Sequence, residues 1–259
     1  MNSVMSAIAA SGAPLVATVA GAVAATVRTP SAHLRGGVQH VAAGAVFAAV
    51  ASELVFELVS ARRVWPIVIG FGIGTLLMLV VRQVAERVEA SGEGTAAVAG
   101  LITAIGVDVF MDGLVLGIGF AAGSRGGLLL TFALTLEMVF LGLTVATALG
   151  GERVAAGRVV GTTAAVALLL PVGALLGSTA GHLSHNVVLG LIAFASAALL
   201  YLVTEELLVE AHNAPDGPVA TGAFFLAFLG DPGAGRGHPP TPRRAGMRPP
   251  RTGRRPRVD

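Results

Sequence analysis

Apolar residues run along this chain in long blocks separated by short polar seams. A helix needs about 20 apolar residues to cross the hydrocarbon core of a bilayer. Seven blocks reach that length, at roughly 5–27, 38–60, 64–85, 95–122, 126–149, 157–180 and 187–210. The pattern predicts an all-α fold, a polytopic bundle of transmembrane helices. Its short connections should pack neighbouring spans as antiparallel hairpins. Pro171 lies inside the sixth block and predicts a kink there. Gly70, Gly72 and Gly74, and Gly113, Gly117 and Gly119, suit close approach of helices. An eighth apolar stretch, Val219 to Gly230, has only 12 residues and is too short to cross. Two regions follow: a transmembrane domain over 1–230 and an Arg/Pro/Gly-rich tail over 231–259, expected to be disordered.

Composition narrows the class. Hydrophobic residues make up 54% of the 259 and charged residues 12%, about half the charged share of a soluble domain. Mean hydropathy is +0.79. These values exclude a soluble enzyme, a disordered chain and a nucleic-acid-binding domain. The net charge of +2 conceals a split: residues 1–230 hold nine Arg against 13 acidic residues, and residues 231–259 hold eight Arg against two. There is no Lys, which suits a GC-rich coding bias, and the expected location is the cytoplasmic membrane of a bacterium. There is no Cys, so thiolate metal sites, disulfides and cysteine nucleophiles are excluded. The first block lacks a basic segment before it and reads as a retained span. With the N-terminus outside, the inner loops carry Arg28, Arg35, Arg82, Arg87, Arg153 and Arg158, against Arg62, Arg63 and Arg125 outside, which favours that orientation.

Acidic residues inside the spans carry the functional signal, because an ionisable group there is costly and marks a pathway or site. Glu53 and Glu57 lie in the second block, Asp108 and Asp112 in the fourth, and Glu137 in the fifth. No Arg is expected at comparable depth. Each of the first two pairs is spaced i,i+4 and shares a helix face. Asp112 lies 12 residues before Ser124 and Glu137 lies 13 after it. In an antiparallel hairpin those two carboxylates reach the same depth, near mid-membrane, with Asp108 one turn deeper. Three converging carboxylates repel one another unless a cation or protons sit among them. Oxygen ligands alone suit a hard divalent ion. Met111 and Met138 flank the acids, and core packing is their ordinary role. Glu57 lies near the outer end of its helix and Glu53 deeper. Glu205, Glu206, Glu210 and His212 cluster at the inner end of the seventh block. His182 and His185 fall in an outer loop, where solvation is the simpler reading, and His33 and His40 have no stronger case for metal.

The order of these residues resembles the ZIP family of divalent metal transporters, over roughly residues 1–230. Val107-Asp108-Val109-Phe110-Met111-Asp112-Gly113 is similar to the family's His-Asn-x-Pro-Glu-Gly, with Asp108 in the His place and Asp112 in the Glu place. Gly44 through Glu53-Leu54-Val55-Phe56-Glu57 is similar to its Gly-x-x-x-Ala-x-x-x-x-His-Leu-x-Pro-Glu, with Glu53 for His and Phe56 for Pro. Leu200 through Glu206 is similar to its seventh span. Aligning Gly142 with the Gly that closes the fifth-span motif gives Glu137 a ligand position, while Leu141, Val109 and Met138 fall on other ligand positions. The resemblance therefore implies one metal site, built from Asp108, Asp112 and Glu137. From their positions in the spans, entry is expected past Glu53 and Glu57 and exit past Glu205 and Glu206, and the resemblance implies alternate exposure of the site to the two sides.

The expected function is inward transport of a divalent metal, zinc first. Manganese, iron and cadmium stay open, because Asp replaces His. The metal is the transported substrate, and no permanently bound cofactor is expected. The alternative is a proton-linked transporter of another solute that uses the same carboxylates. Membrane lipid is the surrounding partner, nucleic acid is not one, and monomer or homodimer is open. An enzyme is not expected: His-Glu-x-x-His is absent, and Asp108 and Asp112 share one helix instead of facing each other across two.

Overall fold

The computed structural model describes residues 3–27, 31–61, 63–91, 95–149, 154–209 and 218–230. Among them there is no strand. In chain order the elements are α1 (Ser3–Val27), α2 (Ala32–Ala49), a π-helical turn (Val50–Val55), α3 (Phe56–Ser60), α4 (Val64–Ser91), α5 (Thr95–Ala122) and α6 (Ser124–Leu149). There follow α7 (Ala156–Ala167), α8 (Leu169–Ser178), a 3-10 turn (Thr179–His182), α9 (His185–Leu202), a second π-helical turn (Val203–Leu207) and α10 (Pro218–Leu229). Arg28, Arg153, Glu210, His212 and the 231–259 tail lie outside the described residues.

Seven of these segments are long and apolar enough to cross a membrane: Ser3–Val27, Gly36–Ser60, Val64–Val84, Ile102–Ala122, Ser124–Thr147, Ala156–His182 and His185–Glu205. The all-α bundle expected from the hydrophobic blocks is the observed architecture, and the protein is an integral membrane protein by length and composition of its helices. Trp65, Ile69, Ile73 and Leu76 of α4 are all exposed. Water would penalise such a face, whereas a hydrocarbon core covers it without cost. The eighth stretch forms α10, whose 12 residues span about 18 Å, well short of a crossing.

Small residues set the helix spacing. Gly113 and Gly117 of α5 lie against the carbonyls of Leu170 and Ala174 of α8, and Gly173 and Gly177 of α8 lie against the carbonyls of Phe110 and Leu114 of α5. Each helix thus presents a Gly-x-x-x-Gly stripe to the other. In lipid there is no hydrophobic drive between helices, so this backbone contact supplies the dispersion energy instead. Gly21 of α1 and Gly142 of α6 use the same device, against the carbonyls of Val139 and Thr18. Gly44 of α2 receives the carbonyl of Phe224, and Phe47 packs its ring on Phe224 and Phe228 at 6.2 and 5.9 Å. These contacts seat α10 along α2.

The sixth span breaks where its proline requires. Pro171 has no N–H for the carbonyl of Ala167, and α7 ends at that residue. The break itself falls at Leu168, three residues before the proline. The second span departs from expectation. It is interrupted by the π-helical turn, so Glu53 and Glu57 do not follow the regular i,i+4 geometry of an α-helix. His40 also departs: it is 1% exposed, with Nδ1 2.8 Å from the carbonyl oxygen of Gly36, and is a buried core residue beside the equally buried Gln39.

Candidate metal centre

The centre is built on the α5–α6 hairpin. A single residue, Gly123, separates the two helices, and its amide donates to the Gly119 carbonyl at 3.0 Å while its own carbonyl accepts from Gly127 at 3.1 Å. Gly119 faces the Leu130 side chain and Gly127 faces the Phe120 ring at close range. The missing Cβ atoms let the helices run side by side directly from the turn. With so short a connection, distance along each helix becomes depth. Asp112 and Glu137 sit about 16 Å and about 21 Å from Gly123 at 1.5 Å per residue, which leaves them within about one turn of the same depth.

Asp108, Asp112 and Glu137 each offer one carboxylate oxygen, and the three oxygens lie within 4.8 Å of one another. A cation bonded at about 2.0–2.6 Å holds its ligands about 3–5 Å apart, so this separation suits a single ion. Asp112 is 2% exposed and Glu137 3%. Asp108 is half-buried and lies one turn nearer the face at which α5 begins. Three carboxylates at this spacing in a medium of low dielectric cannot all carry charge unopposed. A divalent ion or bound protons would relieve that repulsion.

Close backbone contacts hold α5 and α6 in place around the carboxylates. Behind Asp112, Gly113 clamps α5 to α8. Behind Glu137, Val139 and Gly142 join α6 to α1. Met138 is fully buried and Met111 nearly so. Met138 belongs to the main apolar cluster with Val109, Leu116, Leu134 and Leu170. That is the packing role expected of it.

The flanking acids are arranged differently from the expectation that no arginine reaches them. Glu53 lies at the level of the α5–α6 turn, where Arg125 Nε is 3.0 Å from its Oε1. It therefore lies near the end of the bundle where α5 meets α6, and not deep within it. Glu57, on α3, interacts electrostatically with both Glu53 and His185. Across the bundle, Glu205 sits in the second π-helical turn and its Oε2 accepts from Arg82 Nη1, while Arg82 Nε binds Glu86 at 2.8 Å. Glu206 shares that turn, and its side chain lies outside the described residues. His182 and His185 are both exposed. Arg63 donates to Asn186 at 2.7 Å on the same face as Arg125.

Arg125 and Arg82 are the residues that sequence reasoning missed. From the sequence both read only as loop charges that set orientation, and their partners lie far away along the chain. Neither a protein-family model nor a curated protein matches this chain.

Proposed function

We propose that the protein is a membrane transporter of divalent metal cations, with Asp108, Asp112 and Glu137 as its single transport site. The observation that carries this reading is the convergence of three carboxylates at mid-depth in a seven-span bundle, two of them almost fully buried. In such surroundings a carboxylate cluster is costly, and it persists where it handles ions. The cation sheds part of its hydration shell and takes carboxylate oxygens instead. Exchange requires that the site open to one side at a time, since a continuous path would leak.

Zinc is the first candidate, on the resemblance of the α2, α5 and α9 motifs to the ZIP family. The all-oxygen ligand set also suits manganese, iron or cadmium. Glu53 and Glu57 line the entry, and Glu205 and Glu206 the exit. The bacterial cytoplasmic membrane is the proposed location, and the transport direction is inward.

Purified protein reconstituted into vesicles that enclose a metal-sensitive dye tests the reading. Wild type takes up zinc or manganese, and Glu137→Gln falls to the rate of empty vesicles. Wild-type uptake at background for zinc, manganese and cadmium alike would reject metal transport in favour of proton-linked transport of another solute.

A further inference from the structure

We infer that Arg125 is a resident competitor for the cation at the mouth of the pathway. Its guanidinium occupies Glu53, and an arriving divalent ion must displace it. This rests on the transport reading and adds a residue that the reading does not otherwise use.

The pair is asymmetric. The Glu53 side chain is 18% exposed and that of Arg125 is 55% exposed. The carboxylate is thus set into the wall, while the arginine reaches it from the aqueous side. A pair with one partner in water is weak enough to exchange, whereas a fully buried pair would be kept together by the penalty of leaving one charge alone.

Local backbone supports exchange. Glu53 lies within the π-helical turn Val50–Val55, and such turns inside α-helices are frequent at functional sites. Gly126 adjoins it: a Cβ at Gly126 would stand 3.7 Å from the Glu53 Cβ and 3.8 Å from its Oε2. Both are ordinary contact distances, so the start of α6 packs directly on the Glu53 side chain.

Charge decides which ion wins. Glu57 interacts electrostatically with both Glu53 and His185. Arg63, also on this face, is held by Asn186. Both carboxylates attract a divalent ion, which carries twice the charge of the guanidinium. Attraction scales with the product of charges, so a divalent ion displaces the arginine more readily than a monovalent one does. Meanwhile Asp108, the most exposed of the three site carboxylates, lies toward the opposite face.

Uptake kinetics in vesicles, with zinc and manganese as probes, separate this role from that of a structural bridge. Arg125→Gln should lower the apparent KM about five-fold, the competition expected of one partly exposed ion pair. Glu53→Gln should raise KM, the double variant should match Glu53→Gln, and Arg125→Lys should return KM toward wild type. Opposite signs for the two partners are the signature. A merely structural bridge would make both single variants worse alike, and that result, or an unchanged KM in Arg125→Gln, overturns the inference. Absence of uptake in the wild type is a distinct outcome, which rejects the transport reading and this inference with it.

Discussion

Asp112→Asn should make the metal-free protein more resistant to heat and, at the same time, unable to gain stability from metal. The two effects have one cause. At separations within 4.8 Å, two like charges in an effective dielectric of about 20 repel by about 3.5 kcal/mol or more. Protonation relieves part of that repulsion. The amide keeps the shape of the side chain and removes one charge, so the metal-free state loses repulsion. In the wild type a cation supplies the compensation, and at 100 times its dissociation constant it adds about 2.7 kcal/mol. Melting curves in detergent, with a chelator and then with zinc or manganese, check both signs. The wild type should melt several degrees higher with metal, about 2–4 °C per kcal/mol for a chain of this length. Asp112→Asn should begin higher and not move. A variant that melts lower than wild type under chelator would mean that the carboxylate is a structural acceptor and not a repelling ligand.

Gly113→Leu should remove most folded protein from the membrane. A Cβ at Gly113 would collide with the carbonyl of Leu170 and approach the amide nitrogen of Ala174 at 3.0 Å. Both are backbone atoms, so no rotamer change relieves the clash, and α5 and α8 must part. Overpacking of this kind costs about 1–3 kcal/mol, and here it also separates the reciprocal contacts at Gly117, Gly173 and Gly177. Gly113 follows Asp112 directly, so whatever protein survives should have a displaced ligand and no uptake. Gly161→Ala is the matched control. Gly161 lies in α7 with no atom within 4 Å of its Cβ position, and alanine there should stabilise by about 0.5–1 kcal/mol through helix propensity. Size-exclusion profiles of the two variants give the comparison: loss of the monodisperse peak for the first, an unchanged or larger peak for the second.

Much of this arrangement is legible in the sequence for a simple reason. A bilayer forces each span to a fixed length, so seven blocks become seven crossings. A hairpin with one residue in its turn converts residue number into depth, which is why Asp112 and Glu137 could be matched from their distances to Ser124. The two π-helical turns were not legible. Glu53-Leu54-Val55 and Thr204-Glu205-Glu206 carry no composition that distinguishes them from regular helix. Their extra residues are stabilised by neighbours that only the fold supplies. The ion pairs were hidden for the same reason. Arg125 stands 72 residues from Glu53, and Arg82 stands 123 from Glu205. His40 was underestimated because its position near a helix end suggested water, whereas packing of α2 in the bundle leaves it 1% exposed. Pro171 foretold a break, and the location at Leu168 follows once the missing donor is traced back to Ala167.

One divalent ion should bind among Asp108, Asp112 and Glu137. The decisive experiment is calorimetric titration of the purified protein in detergent with zinc, manganese and cadmium, alongside Asp112→Ala. One ion per chain is expected for at least one of these metals, with the heat of binding lost in the variant. No binding of any of them, or binding that persists unchanged in Asp112→Ala, would contradict it.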